Sequence, residues 1–365
     1  MSNQFNPIFS ITPQILQDLL RIEATKEQIK GLPLTPTVLA SLRETSRLVT
    51  THYSTMIEGN QLEIEQIKQV LTQDKQFAGY ERDEREVKGY YAALTYLEQL
   101  TKKQTIVTEK IIQQTHALVM GSGSTKVQPT PYRDAQNSIR ESATKRIVYL
   151  PPEAKDVPIL MRELVDWINT SDLPAPIIAA IAHYQFATIH PYMDGNGRTA
   201  RLLTTFILHL KGYDLKGIYS LDEYYAQKLG DYYEVINVGD HHNYYFGRAE
   251  ADITGWISYF CAGMAHSFAK VLKQMQAAQT RGEIDQSDTL RYLEPAQREI
   301  IKLFQKQAVL TRLEIGTALH LKPRSSAALC RKWLQEGFLE IEDPSNKARS
   351  YRLSLKFESL LHSFD

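Results

Sequence analysis

The twelve residues from His190 to Arg201 concentrate the polar groups with which this chain could do chemistry. The segment reads His-Pro-Tyr-Met-Asp-Gly-Asn-Gly-Arg-Thr-Ala-Arg and lies between two stretches of helical periodicity. His190 is the side chain of this segment whose ordinary pKa permits proton abstraction near neutral pH. Asp194 offers a hard oxygen ligand of the kind that holds Mg²⁺ together with substrate phosphates. We predict His190 as a base and Asp194 as a magnesium ligand.

The glycines of this loop and the two arginines after it point to a bound anion. Residues 194–197 are expected to adopt positive φ repeatedly and to present successive backbone N–H groups to one point. These donors stand at a helix N-terminus, where the macrodipole also favours an anion. Arg198 and Arg201 are three residues apart and share one face of the first turn, where two cations imply a counter-anion. A polyphosphate fits best, which predicts phosphoryl or nucleotidyl transfer.

Other classes of site fit the loop less well. A calcium EF-hand needs a glutamate where Thr205 stands, and a Walker A loop needs a Gly-Lys-Ser/Thr sequence that is absent. A transition-metal site of His183, His190 and Asp194 would need a continuous helix, which Pro191 interrupts. An ordinary glycine turn between two helices remains the plain alternative.

The segment from His190 to Arg201 resembles the signature of the Fic family, H-P-F-x-D/E-G-N-G-R-x-x-R, with Tyr192 replacing the phenylalanine. Supporting features extend the resemblance from about residue 50 to 275. It implies transfer of AMP from ATP to a Ser, Thr or Tyr hydroxyl of a target protein or of this chain, with Mg²⁺ as the cofactor. The base would be His190 and the Mg²⁺ ligand Asp194. The nucleotide contacts that it implies are Gly195, Asn196 and Gly197 at the α-phosphate, and Arg198 and Arg201 at the β- and γ-phosphates. Tyr232 and Tyr233 resemble a family segment beside the adenine, although paired tyrosines on a helix are more often packing residues.

A segment upstream of the loop resembles the inhibitory motif of the same family, Ser/Thr-x-x-x-Glu-Gly/Asn. It reads Ser54-Thr-Met-Ile-Glu58-Gly-Asn60. The resemblance implies that Glu58 pairs with Arg201 and holds this cation away from the γ-phosphate, while Ser54 only steadies the helix end. Asp194 is the only other acidic partner that the sequence places near Arg201. In some family members the equivalent glutamate also orients a water that removes AMP, so the reverse reaction stays open.

The family resemblance also implies a β-hairpin flap that binds the target by adding a strand to an exposed edge. A short β-type run lies where this flap is expected and ends at Pro151-Pro152. We therefore predict a docking flap over Arg146, Ile147, Val148, Tyr149 and Leu150.

The pattern of apolar residues predicts a mainly α-helical fold with the Fic-type core and its flap. Helical periodicity covers 35–71 with a break at Gly59-Asn60, and it returns over 86–100, 108–120, 157–169, 176–189, 200–211 and 253–279. The charged run 81–86 is expected to be a solvated helix start. His116 has apolar neighbours on its helix and is predicted to be a core or boundary residue.

The chain is predicted to contain an N-terminal helical region over 1–100, the Fic catalytic core over 101–279 and a linker over 280–288. Residues 289–365 show three helices and then two strands, a pattern typical of a winged helix. Such a domain could contact DNA or protein, so a nucleotide-sensing DNA-binding transcriptional regulator is the rival function. The nearly balanced charge of this region argues against the rival.

The composition of the 365 residues disfavours several classes of protein. Lys+Arg and Asp+Glu are both 42, so a uniformly basic, nucleic-acid-coating surface is disfavoured. Two cysteines exclude a disulfide scaffold. No window reaches the roughly 18 apolar residues of a membrane helix, and the first residues do not resemble a secretory signal. We therefore expect a cytoplasmic protein without membrane contact, and a homodimer stays open.

Overall fold

Helices carry most of the regular structure, as the periodicity of the apolar residues predicts. The computed structural model describes residues 5–32, 36–103, 106–140, 144–237, 242–280, 293–304, 306–343, 349–354 and 357. Contacts divide the chain into two units, Met1–Gly31 with Leu42–Gln274, and Leu32–Ser41 with Met275–Asp365. The domain boundary drawn at residue 100 falls inside the first unit and stays a prediction.

Eleven α-helices among the described residues have most of their length in the first unit. In chain order they are α1 (Pro13–Lys30), α2 (Pro36–Met56), α3 (Ile64–Gln73), α4 (Glu81–Thr101), α5 (Glu109–Met120), α6 (Val157–Thr170), α7 (Ala175–Ile189), α8 (Asn196–Leu210), α9 (Asp222–Gln227), α10 (Leu229–Ile236) and α11 (Thr254–Thr280). No helix in the described ranges has the length and apolar character needed to cross a membrane.

Helix α7 forms the centre of the first unit. All of its residues except Ala187 are buried, as expected for a helix whose alanines and isoleucines make it apolar on every side. It packs against α6 and α8, and α8 in turn contacts α4 and α5. This packing fixes the end of α7 and the start of α8, and with them the loop between the two helices.

The loop between α7 and α8 contains two left-handed residues. His190 has φ 52° and ψ 59° and ends α7 before Pro191, while Gly195 has φ 75° and precedes α8. The expectation of repeated positive φ over 194–197 is wrong. Asn196 and Gly197 already belong to the first turn of α8, so only Gly195 among these four needs the left-handed conformation.

The charged start of α4 differs from its expected solvated state. The helix begins at Glu81, but Glu84 and Glu86 are 7% and 9% exposed. Glu84 accepts a hydrogen bond from the backbone N–H of Phe77. Glu86 accepts from Asn60 Nδ2 at 3.3 Å and from Arg82 Nε at 3.0 Å. These partners compensate for burial, which the alternation of charges along the sequence does not reveal.

The flap is a short antiparallel pair, β1 (Ile139–Arg140) with β2 (Ile147–Tyr149). Its second strand confirms the β-type run predicted at 146–150, one residue shorter at each end. A register shift between Ile139 and Arg140 interrupts the pairing.

The second unit contains α12 (Pro295–Phe304), α13 (Arg312–Ala318) and α14 (Pro323–Gln335), with a three-stranded sheet. Its strands are β3 (Leu310–Thr311), β4 (Leu339–Asp343) and β5 (Ser350–Leu353), antiparallel in the order β3-β5-β4. The short β3 adds to the two predicted strands. Trp333 and Phe338 pack together in the core of the second unit. The winged-helix assignment stays a prediction, and the linker beyond residue 280 lies outside the described residues.

Candidate active site

The surroundings of His190 hold its imidazole neutral. Burial lowers the pKa of its imidazole to about 4, so the ring is uncharged at neutral pH. Its Nδ1 lies 3.3 Å from the carbonyl oxygen of Ala187. A carbonyl only accepts, so Nδ1 carries the hydrogen and Nε2 keeps its lone pair. The predicted base can therefore accept a proton without first losing one.

Arg133 fixes the backbone around His190, a role that sequence reasoning missed. Its side chain is buried and donates to the carbonyl oxygen of His190 at 3.0 Å, and also to those of Ala135 and Pro152. Its backbone N–H donates to Pro191 at 2.9 Å. One guanidinium thus joins the base to the segment that follows the flap. The signal in the sequence is Pro131-Tyr-Arg133, which resembles the Fic family segment that leads into the β-hairpin flap.

The side chain of Asn196 closes the loop on itself. Its Oδ1 accepts the backbone N–H of Tyr192 at 2.9 Å, and its Nδ2 donates to the Tyr192 carbonyl oxygen at 2.8 Å. Asn196 can therefore reach a phosphate through its backbone N–H or through the second N–H of Nδ2. Gly197 is next in the helix, and the first N–H groups of α8 have no intrahelical acceptor.

Asp194 presents an accessible carboxylate at the same loop. Its side chain is 68% exposed, and its Oδ1 accepts the Gly195 N–H at 2.6 Å. Across the described ranges, no group of three or more His, Cys, Asp or Glu side chains could hold a metal ion. Mg²⁺ commonly binds one or two carboxylates plus phosphate oxygens and water, so a single exposed carboxylate fits this cation.

Arg201 is buried, and Glu58, Ser54 and Asp222 contact its guanidinium. Its Nη2 lies 2.9 Å from Glu58 Oε1, and its Nε lies 2.8 Å from Ser54 Oγ and 3.2 Å from Asp222 Oδ1. Burial alone would lower the pKa of Arg201, but Glu58 and Asp222 raise it, so the guanidinium stays charged. The expectation that Asp194 is its only other acidic partner is wrong, because α9 brings Asp222 against it. Ser54 lies in the last turn of α2 and accepts from Arg201 directly, so the expectation that it only steadies the helix end is wrong.

Arg198 faces a different pair of carboxylates. It is 2% exposed, and its guanidinium lies 3.7 Å from Glu86 and 3.5 Å from Asp194. Asp194 is therefore the neighbour of Arg198 and not of Arg201. The two arginines still form a cationic face at the start of α8, as their spacing predicts.

The Glu58 carboxylate lies against the first turn of α8. A Cβ built on Gly197 would stand 2.2 Å from Glu58 Oε1 and 3.1 Å from Arg201 Nη1. Gly197 therefore leaves the space in which an anion reaches both the cation and the helix N-terminus. Glu58 itself lies in the turn after α2, which ends at Met56. The protein holds one of its own anions where the sequence predicts a phosphate.

The two tyrosines predicted beside the adenine lie in different environments. Tyr232 is 4% exposed and packs among His183, Tyr225 and Trp256, with its hydroxyl 3.0 Å from His183 Nε2. The ring of Tyr232 is therefore part of the core and does not line an open pocket. Tyr233 is half-exposed, and its hydroxyl donates to the Ile57 carbonyl oxygen at 3.3 Å.

The predicted docking flap is anchored at one end and partly covered along its edge. Tyr149 is buried and donates to the Thr188 carbonyl oxygen at 2.8 Å, so its side chain fixes the flap to α7. Leu150 exchanges backbone hydrogen bonds with residues 242 and 244, and the Val148 carbonyl oxygen accepts from His242 Nδ1. Arg146 and Ile147 are exposed. A partner strand would therefore meet the start of this edge first.

Comparison with known proteins assigns the region that contains this site. Residues 106–208 match the Fic/DOC family. The chain is 30% identical over 225 residues to protein adenylyltransferase Fic of Aedes aegypti, covering 60% of this chain and 43% of the relative. It is 33% identical over 194 residues to the protein of that name from Culex quinquefasciatus, covering 52% and 37%. The chain thus spans less than half the length of these relatives.

Solved structures share the fold. A Fic family protein from Desulfovibrio desulfuricans G20 aligns with a TM-score of 0.62 at 23% identity, over 96% of this chain and 99% of that one. Fic-1 residues 134–508 from Caenorhabditis elegans align with a TM-score of 0.58 at 22% identity, over 73% of each chain. The loop from His190 to Arg201 lies inside residues 106–208, the part of the chain that matches the Fic/DOC family.

Proposed function

We propose that this protein transfers AMP from ATP to a Ser, Thr or Tyr hydroxyl of a target protein, and that Glu58 restrains the transfer. The observation that carries the proposal is the Glu58 carboxylate at Arg201 over Gly197, because it marks an anion site beside a neutral histidine. The names of the curated relatives support the same reaction. The chain covers less than half of those relatives, so the activity is inferred from its own site.

The proposed reaction uses His190 at the end of α7, and the arginines and backbone N–H groups at the start of α8. The target hydroxyl oxygen attacks the α-phosphorus while its proton passes to His190 Nε2. The bond from the α-phosphorus to the bridging oxygen of the β-phosphate breaks, and pyrophosphate leaves with that oxygen. Arg198 and Arg201 bind the departing phosphates, and the backbone N–H groups at the start of α8 stabilise charge on the α-phosphate.

Asp194 would hold Mg²⁺, which supplies charge neutralisation to the phosphates when it is bound. Its exposure supports this role, because the remaining ligands would come from the nucleotide and water. The same carboxylate accepts the Gly195 N–H, so it also steadies the turn.

Glu58 would act by occupying the Arg201 position that the γ-phosphate needs. ATP could still enter, but its α-phosphate would be poorly placed for in-line attack. A glutamate near the loop could also orient water for removal of AMP, so we include de-AMPylation in the proposal.

Labelled ATP tests the reaction class. The Glu58→Gly protein is incubated with a cell lysate and with ATP labelled at either the α- or the γ-phosphate. We expect protein labelling from the α-label alone and a mass increase of one AMP on the modified peptide. Label from the γ-phosphate would show phosphoryl transfer instead, and no label from either would contradict an ATP-dependent protein modification.

The Mg²⁺ role of Asp194 predicts a change in metal requirement. Asp194→Asn keeps an oxygen that can accept the Gly195 N–H and removes the negative charge. We expect the Mg²⁺ concentration for half-maximal AMP transfer to rise by about tenfold or more, since one of few protein ligands is weakened. Titration with Mg²⁺ at saturating ATP measures this. An unchanged requirement in the folded variant would place the metal elsewhere.

The flap predicts a selective loss of target modification. Val148→Pro removes one backbone N–H from β2, whereas the matched control Val148→Ala changes the side chain and keeps it. We expect the proline variant to modify protein targets about tenfold less, the equivalent of one backbone hydrogen bond, with ATP affinity unchanged. Target labelling and nucleotide binding are measured for both variants. Equal labelling by the two would argue against strand addition.

A further inference from the structure

The buried imidazole of His116 lies directly beneath the turn that begins the anion site. His116 belongs to α5 and is 5% exposed. Its Nε2 is 2.8 Å from the carbonyl oxygen of Asp194. A Cβ built on Gly195 would stand 3.2 Å from that nitrogen and 3.0 Å from Met120 Sδ. The turn therefore rests on the ring with no room for a side chain between them.

The hydrogen bond also defines the state of the ring. Because a carbonyl oxygen only accepts, Nε2 must carry a hydrogen. Among the described residues, Nδ1 is buried and has no hydrogen-bond partner. Burial lowers the pKa of His116, which agrees with a neutral ring that has one N–H. The Nε2–H bond to the Asp194 carbonyl oxygen is therefore the polar contact that the ring makes among the described residues, and it is a contact that an apolar ring could not make.

A second contact ties the ring to the loop. The imidazole stacks on Tyr192, with the ring centroids 3.6 Å apart and the planes at 14°. Tyr192 is in turn held at both backbone atoms by the Asn196 side chain. His116 thus contacts the loop at two points, one before and one within the turn.

We propose that His116 is a positioning residue that sets the Asp194–Gly195 turn, and with it the N–H groups at the start of α8 and the Asp194 carboxylate. The inference rests on the proposed function, because its consequence is correct placement of the α-phosphate. A displacement of about 1 Å at a reacting centre can lower a rate by 10²-fold, so a single lost hydrogen bond at this turn has a large effect.

The test separates the hydrogen bond from the packing. In the Glu58→Gly protein, His116→Phe keeps an aromatic ring for Tyr192 and removes the donor. His116→Gln loses the stacking on Tyr192 but keeps a donor, because the Nε2 of glutamine is as many bonds from Cα as the Nε2 of histidine. The matched control is His52→Phe, since His52 Nδ1 contacts the Leu62 carbonyl oxygen at 3.1 Å on another loop. Folding of each variant is followed by thermal unfolding.

We expect His116→Phe to lower kcat for AMP transfer by 10- to 100-fold, on the order expected for a misplaced reacting group. The ATP dissociation constant should change less than about threefold, because Arg198 and Arg201 are untouched. His116→Gln should recover most of kcat, and His52→Phe should match the Glu58→Gly parent. A ¹⁵N spectrum of the ring should show the hydrogen on Nε2.

The contrary outcomes are distinct. Activity of His116→Phe equal to the parent, or equal losses in both His116 variants, would reduce His116 to packing and overturn the inference. A hydrogen on Nδ1 would do the same. If His116→Phe fails to fold, the inference is tested by the kcat of His116→Gln and by the position of the ring hydrogen in the ¹⁵N spectrum. Absence of AMP transfer in the Glu58→Gly parent would overturn the proposed function, and this inference with it.

Discussion

Replacing His190 by alanine should reduce AMP transfer by about 10²- to 10⁴-fold, the contribution expected from one positioned base. The His190 ring is neutral with its hydrogen on Nδ1, which leaves the Nε2 lone pair free for the target proton. The phosphate contacts come from Arg198, Arg201 and the start of α8, so ATP affinity should stay within about threefold. Single-turnover transfer and equilibrium ATP binding measure the two effects.

The background for this comparison is the Glu58→Gly protein, in which we expect transfer to be unrestrained. The His190→Ala variant should unfold at nearly the parent temperature, because the backbone contacts of residue 190 with Phe186 and Arg133 do not use its side chain. Transfer within threefold of the parent rate would exclude His190 as the base. A parallel loss of ATP binding would show that the ring also supports the nucleotide pocket.

Glu58→Gly should raise AMP transfer about ten- to a hundredfold. The Glu58–Arg201 contact is a charge-assisted hydrogen bond of 2.9 Å, for which roughly 1.5–3 kcal/mol is typical. Each increment of about 1.4 kcal/mol changes tenfold the equilibrium constant by which Glu58 and the γ-phosphate compete for Arg201. The initial rate on a competent target, measured at a fixed ATP concentration below saturation, gives the factor.

Two further variants show whether the activation passes through Arg201. Glu58→Asp is one methylene shorter and should activate partially. Glu58→Gly combined with Arg201→Ala should lose the activation, because the released cation is then absent. An equal rate in Glu58→Gly and the unmodified protein would make residues 54–60 an ordinary helix end. Activation that persists in the double variant would show that Glu58 acts on another group.

The local features of the site could be predicted from sequence because the residues that make them are adjacent in the chain. The proline after His190 and the glycine at 195 determine where α7 ends and α8 begins. The arginine spacing determines their shared face. Even here the turn needs one left-handed residue before α8 and not a run of them, since the helix starts earlier than the glycines suggest.

The partners of these residues could not be predicted in the same way. Asp222 reaches Arg201, and Glu86 approaches Arg198, through the packing of helices that are distant in sequence. No periodicity shows which buried carboxylate meets which cation. Burial of Tyr232 and the cover over the flap edge likewise depend on long-range packing. For Glu58 the family resemblance supplied the partner, because the residues alone show only a common helical spacing.

The pairing of Arg201 with Asp222 affects how a phosphate could replace Glu58 at Arg201. A cation stripped of every counter-charge inside a protein is severely destabilising. If Glu58 were the sole carboxylate at Arg201, each departure would pass through such a state. Asp222 is buried and lies 3.2 Å from Arg201 Nε, so the guanidinium keeps a carboxylate neighbour when the Glu58 contact breaks. Glu58 could then leave Arg201 before a phosphate binds there, without an intermediate in which the buried cation is unpaired.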